Sequence, residues 1–362
     1  MKIRKKTIQN INGLNYFFLE SGYLNTEKSN AIFFLHGFPE LSYSYRYLLK
    51  NFAEEGYYCI APDQRGYGRT SQRKISKDLL SNYSILNLTK DIFFLLCRLK
   101  LKKINLVGHD FGSYVVGYFC LLYPTYVKSI VIMSMPFGGA VQKKTSFNLK
   151  KIDNELRSLK DPKKHYQVYL SGKTANRNMI NCKQGVFNFL RSYYHFKSYD
   201  YKDNKPHKLK NNSIKELCKM PEYYIMKKRN GMAQTVKNFM PTQEQIEKCI
   251  WMSNIDLAIY SKSFKKKSFQ GPLNWYKIML NSNEIRKIQM LKLPIYTDIP
   301  AIFIAGVSDW GPYQKPGHLD SMRKFFKNFY GTFFISKAGH WVQQEQSKKT
   351  FDVIKNFYDR IF

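Results

Sequence analysis

Residues 107–113 read VGHDFGS, the small-x-nucleophile-x-small frame of a strand-to-helix turn, and its centre carries a carboxylate, Asp110, where a serine usually stands. A serine alkoxide attacking a saturated carbon leaves a stable ether, whereas a carboxylate leaves an alkyl ester that water can cleave at the carboxyl carbon. Position 110 therefore points to displacement at sp³ carbon. A carboxylate is ionised at neutral pH, needs no base to activate it, and is stabilised by the N-terminus of a following helix. A histidine is thereby released for the second step, activation of the water that attacks the ester. His340, after FFISKAG, and Asp309, after IFIAGVS, are the candidates for that base and for the acid that orients it. Negative charge growing on an Asp110 oxygen needs backbone N–H donors. These are expected from Phe111, which follows the nucleophile, and from Phe38 in HGFPE.

Such residues must be held by a sheet. Short apolar runs at 30–37, 57–66, 103–110 and 129–136 predict strands, and SILNLTKDIFFLLCRLKL (84–101) and FGSYVVGYFCLLYP carry helical spacing between them. That alternation predicts a largely parallel sheet with helices on its faces. In such sheets ligands bind at the carboxyl ends of the strands, where Asp110, Asp309 and His340 all fall. Residues 138 to about 285 show helical stretches and no clear strand, and the sheet pattern resumes at 298–309 and 331–340 before a closing helix SKKTFDVIKNFYDRIF. The expected organisation is one α/β core, residues 1–137 and 286–362, interrupted by a helical insertion at 138–285.

With 362 residues and 16% aromatics the chain is long and apolar enough to fold as a globular protein. Its net charge of +33 would draw nucleic acid or anionic lipid at low salt. The lysines are scattered, however, in a chain equally rich in Asn, Ile, Tyr and Phe, and read as a solvated surface. The cysteines Cys59, Cys97, Cys120, Cys182, Cys218 and Cys249 form no C-x-x-C pair and no zinc spacing. They read as reduced packing residues in a cytoplasmic protein. The N-terminal stretch lacks an apolar signal-peptide region, and no run reaches the ~18 apolar residues of a membrane span.

HGFPELSYSYR, DQRGYGRTS, VGHDFGS, PLNWYK and AGHWVQQEQ together resemble the α/β-hydrolase fold epoxide hydrolases, from about residue 12 to the end. The order nucleophile, acid, histidine is that of the α/β-hydrolase triad. The resemblance implies a mostly parallel eight-stranded sheet with an inserted helical lid, and conversion of a small hydrophobic epoxide and water into a vicinal diol, without metal or organic cofactor. It gives Asp63 and Arg65 a structural part. It also implies two lid tyrosines that donate to the epoxide oxygen, at positions matching Tyr166 and Tyr276. The residue types alone do not single these out among the ten tyrosines of 138–285, and Tyr169 shares a face with Tyr166 if that segment is helical. An opening epoxide needs such donors, because it expels an alkoxide far more basic than a phenol of pKa about 10.

Haloalkane and haloacid dehalogenases use the same aspartate-histidine-aspartate set, but a halide wants side-chain N–H donors and no proton. That family usually offers Trp after the nucleophile and a polar residue after HG, and fluoroacetate dehalogenases usually place Arg after the nucleophile. This chain has Phe111 and Phe38. Phe111 also departs from the Trp common in epoxide hydrolases. A reading of another kind, a cationic nucleic-acid-binding protein on an inactive hydrolase scaffold, rests on the 29 Lys and Arg against 11 Asp and Glu of residues 138–285, a net +18. The complete acid-base set argues against it.

Overall fold

The computed structural model describes residues 1–24, 30–72, 79–141 and 148–362. The chain opens with an antiparallel hairpin, β1 (Arg4–Ile11) and β2 (Leu14–Ser21), which the sequence reading did not anticipate. Its turn residues Asn12 and Gly13 both have positive φ, 47° and 79°, as a two-residue turn matching strand twist demands. Then come β3 (Ala31–Leu35), β4 (Tyr58–Pro62), the two-residue β5 (Ser71–Gln72), β6 (Ile104–His109) and β7 (Val127–Met133). After a long helical stretch broken only by β8 (Lys163–His165) and β9 (Ile225–Lys227), β10 (Ala301–Gly306) and β11 (Phe329–Ile335) complete the sheet.

The order is β1-β2-β4-β3-β6-β7-β10-β11, eight strands along one path, with β5 pairing off β2. From β4 to β11 every pairing is parallel; β2 meets both its neighbours antiparallel. β3, β4, β6 and β10 are buried at every residue, which is why they are continuous apolar runs rather than alternating ones. Two apolar clusters cover the two faces. One packs the helices Ile85–Arg98 and Phe111–Leu122 against the sheet; the other packs Arg46–Glu54 and Ser347–Ile361.

Between β7 and β10 the chain forms ten helices among the described residues. The expectation of no strand there is corrected by the ladder of β8 with β9, three residues on each side. A ladder that short cannot show a period-two pattern in sequence. It has a positional effect all the same. The ladder register continues in Tyr166 N–H donating to Tyr224 O at 2.9 Å, so it fixes where the helix Tyr166–Ser171 begins.

Candidate active site

Asp110 sits between β6 and the helix Phe111–Leu122 with φ 52° and ψ −118°, a conformation that L-residues rarely adopt. Small neighbours permit it. A Cβ at Gly112 would lie 1.8 Å from Leu35 O, and one at Gly108 would lie 2.5 Å from Gly112 O. The outer small residues of the sequence frame are therefore steric requirements of the turn. The turn lifts the carboxylate above the sheet, where Asp110 Oδ1 accepts the Phe38 N–H at 3.0 Å. Phe111 begins the helix, whose first-turn N–H groups have no carbonyl partner inside it.

His340 comes from the loop after β11, and Asp309 from the loop after β10. His340 Nδ1 lies 3.1 Å from Asp309 Oδ1 and 2.9 Å from Ser134 Oγ. The carboxylate assigns the proton to Nδ1 and leaves Nε2 as the free base. Nε2 has no hydrogen-bond partner and faces Asp110 Oδ2 at 3.7 Å, too far for a direct bond. The Gly311 N–H holds Asp309 Oδ1 at 2.7 Å. Burial alone would raise the pKa of Asp309, but the His340 imidazole, Ser134 and Gly311 outweigh it and keep the carboxyl below its ordinary value. Burial, and next the charge of Lys197, lower the pKa of His340 below that of a free imidazole.

Aromatic rings close over this carboxylate. Tyr276 packs edge to face on Phe111 at 4.6 Å and on Phe38 at 5.6 Å, and its ring centre is 6.2 Å from that of Tyr166. Burial first, and then the neighbouring phenol and the Asp110 carboxylate, push the Tyr276 pKa far up; burial and Asp110 do the same to Tyr166. Both phenols therefore stay protonated and remain donors. The Tyr166 hydroxyl donates to Gln314 Oε1 at 2.7 Å. Tyr169 takes no part here, because its hydroxyl turns to Asn178 Oδ1 at 3.2 Å. The structure thus brings Asp110, His340, Asp309, Phe38, Phe111, Tyr166 and Tyr276 to one place.

Four further residues join them that the sequence reading did not single out. Ser134, at the end of β7, shares the His340 Nδ1–H with Asp309. His109 links Glu40, through Nδ1 at 2.6 Å, to the His340 carbonyl, through Nε2 at 2.6 Å. Burial opposes charge on both partners, yet Glu40 raises the His109 pKa and His109 brings that of Glu40 down to about 2. Glu40 and His109 stood inside the motifs HGFPE and VGHDFGS, so their signal was present but unassigned. Lys197, only 4% exposed, places Nζ 5.3–5.6 Å from the ring centres of Tyr193, Tyr223, Tyr224 and Trp341. Burial lowers its pKa to about 8 against the pull of Asp110, Asp309 and Glu40. Nothing in sequence marks it among so many lysines. Among the described residues, no group of three His, Cys, Asp or Glu is disposed to hold a metal ion.

Residues 30–161 match the α/β hydrolase fold family. Over 356 residues the chain is 26% identical to epoxide hydrolase B of Mycobacterium tuberculosis, covering 91% of this chain and 92% of that protein. It is 27% identical over 340 residues to epoxide hydrolase 3 of Siraitia grosvenorii, covering 91% and 92%. The solved structure of potato (Solanum tuberosum) epoxide hydrolase I superposes with a TM-score of 0.74 at 25% identity, covering 99% of this chain and 100% of that one.

Proposed function

This chain belongs to the α/β-hydrolase fold epoxide hydrolase family and is an enzyme of that family; on that premise we propose that it hydrolyses an epoxide to a vicinal diol through a covalent ester on Asp110. One observation carries the reading. A carboxylate at the turn faces the unpartnered Nε2 of an imidazole 3.7 Å away, whose other nitrogen is oriented by Asp309 and Ser134.

In the first step Asp110 Oδ2 attacks an epoxide carbon, the C–O bond breaks, and its electron pair leaves on the oxygen. Tyr276 and Tyr166 donate to that oxygen, and one gives up its proton. Tyr166 first turns from Gln314. In the second step His340 Nε2 takes a proton from a water that attacks the ester carboxyl carbon. The charge grows on Oδ1, which already holds the Phe38 N–H, with Phe111 N–H as second donor. Collapse expels the diol's alkoxide, which takes the proton from the imidazolium; the water's second proton leaves the re-formed Asp110 carboxyl for the tyrosinate, and the carboxylate returns with the water's oxygen. Asp309 stabilises the imidazolium without taking the proton. No step calls for a metal or an organic cofactor.

Residues 138–285 serve as a lid over a core of residues 1–137 and 286–362, and supply both tyrosines. Among the described residues no helix is long and apolar enough to cross a membrane. The six thiols, none joined in a disulfide, suit a reducing compartment such as the cytoplasm. A single turnover in ¹⁸O water tests the chemistry: label is expected in Asp110 and not in the first diol released. Label entering that diol directly, with Asp110 unlabelled, would exclude the ester. A panel of epoxides beside haloalkanes, scored for diol against halide, tests the leaving group.

A further inference from the structure

One buried carboxylate near the site has no part in the chemistry just described. Glu345 is 7% exposed and ends the short helix Val342–Glu345. Its Oε1 accepts the Trp341 N–H at 2.9 Å. Its Oε2 accepts the Gly339 N–H at 2.9 Å and the Tyr199 N–H at 2.8 Å. The N–H groups on either side of His340 are thus gathered by one side chain. The third donor, Tyr199, lies just past the helix Gly185–Lys197 of the inserted region. Between them the His340 N–H donates to Lys197 O at 2.9 Å. A Cβ at Gly339 would lie 2.6 Å from that carbonyl, so the two segments run in direct backbone contact. The inserted segment is itself pinned, by Asn204 Nδ2 to Phe196 O at 2.7 Å and by the Ser198 N–H to His195 O at 3.0 Å. Burial, aided by the charge of Asp200, raises the Glu345 pKa to about 8, and the three N–H donors keep it from rising further.

A carboxylate that takes three backbone donors is an expensive feature to bury unless its geometry matters. Asp309 and Ser134 set the direction of the imidazole ring, but neither fixes where the backbone carrying it lies relative to Asp110. We infer that Glu345 is a positioning residue for the second half-reaction: by tying both flanks of His340 to residue 199 of the inserted region, it holds Nε2 opposite the Asp110 ester. Ester formation does not use His340, so it is insensitive to this tie. Ester hydrolysis depends on it, because a displacement of about 1 Å in a reacting group costs on the order of 10²-fold.

The inference rests on the two-step reading, and its test separates the two. Glu345→Gln keeps the side-chain shape, leaves one acceptor oxygen for three N–H groups, and turns an NH₂ toward a donor. Rapid-mixing kinetics and intact mass on the acid-quenched enzyme then read the two steps. The expected result is ester formation within about twofold of the parent, hydrolysis slower by about tenfold or more, and ester accumulating on Asp110. In the steady state kcat and KM fall together and kcat/KM holds. Glu345→Asp keeps the carboxyl group and both its oxygens and shortens the reach by one methylene. It gives the same split in smaller measure and carries the test if the amide variant does not fold. Equal loss of both steps, or no loss in either, overturns the positioning role. If the parent itself never carries an ester on Asp110, the two-step reading fails and this inference falls with it. If the parent does and the variants hydrolyse normally, only the inference falls.

Discussion

Asp110 and Asp309 stand within a few residues of the carboxyl ends of β6 and β10, and His340 within a short loop after β11; Tyr166, Tyr276 and Lys197 hang from helices between β7 and β10. The first set is placed by a sheet whose registers are fixed by parallel ladders and whose strands β6 and β10 are buried at every residue. The second is placed by aromatic packing, edge to face, with no ladder among the described residues beyond the three residues of β8 and β9. The sheet therefore sets the nucleophile and the orienting acid, the Glu345 tie to the inserted region adds to the placement of the base, and the helices set the proton donors through contacts that can repack. The difference separates the two halves of the proposed reaction: ester hydrolysis draws on the sheet and that one backbone tie, epoxide opening on the sheet and the aromatic packing.

Removing the nucleophile breaks that comparison most severely. Asp110→Ala leaves sheet, base and lid in place, and turnover is expected to fall by ~10⁴-fold or more, since a group acting as part of a unit costs nearly the whole of it. Diol formation and covalent trapping should vanish together, measured by chromatography of product and by mass of the quenched protein. Diol at near-parental rate from this variant would remove the carboxylate from the reaction.

Asp309→Asn comes next and acts on the sheet-held half alone. The imidazole would lose the carboxylate on Nδ1 but keep Ser134 Oγ at 2.9 Å. Loss of the orienting acid costs ~10⁴-fold where nothing replaces it; with Ser134 still holding the ring, roughly 10²–10³-fold is expected in hydrolysis, and ester formation stays near normal. Asp309→Asn with Ser134→Ala should then reach the larger figure. No further loss in the double variant would show that Ser134 does not orient the ring.

The same contrast governs what could be read from residues alone. β3, β4, β6 and β10 were legible because strands buried on both faces must be apolar throughout; β7 and the only partly buried edge strand β11 were legible from the short apolar runs SIVIM and FFI that end them. Asp110 was legible because a strained turn admits only small neighbours. The hairpin β1–β2 was not, since β1 is largely exposed and reads RKKTIQNI, although Asn12-Gly13 announced its turn. Ser134 and Lys197 were illegible for another reason: each acts on His340 from more than a hundred residues away, and a single serine or lysine carries no mark of that. Tyr166 could be separated from Tyr169 only by where the two hydroxyls turn.

On the helix-held half, Tyr276→Phe is expected to slow epoxide opening by ~10²-fold, the low end of general acid catalysis, because Tyr166 remains as a donor. Tyr166→Phe should cost somewhat less. Its hydroxyl must first leave Gln314, so part of its value is already spent in the free enzyme. Both effects belong in ester formation, opposite to the pattern for Asp309→Asn. Tyr169→Phe should leave both steps unchanged, and a large loss there would reassign the donor.

The smallest effect joins the two halves. Lys197, held among four rings by the helical region, lowers the pKa of His340, held by the sheet. On the proposed mechanism the neutral imidazole is the base, so hydrolysis should rise with pH through the His340 pKa and be complete above it; in the parent that limb should lie below the ordinary imidazole range. Lys197→Met removes the charge and fills the same volume. The limb then moves to higher pH, while turnover at pH 8 barely changes because the base is neutral in both proteins. Stability gives an independent reading. A lysine with a folded pKa of about 8 and an unfolded value of 10.5 binds fewer protons folded than unfolded across that window. The parent should therefore gain stability relative to Lys197→Met as pH rises from 8 toward 10.5, by roughly 3 kcal/mol in all. Matched melting curves across that range would show no such convergence if the ammonium reached solvent, and the acid limb would then stay where it is in both proteins.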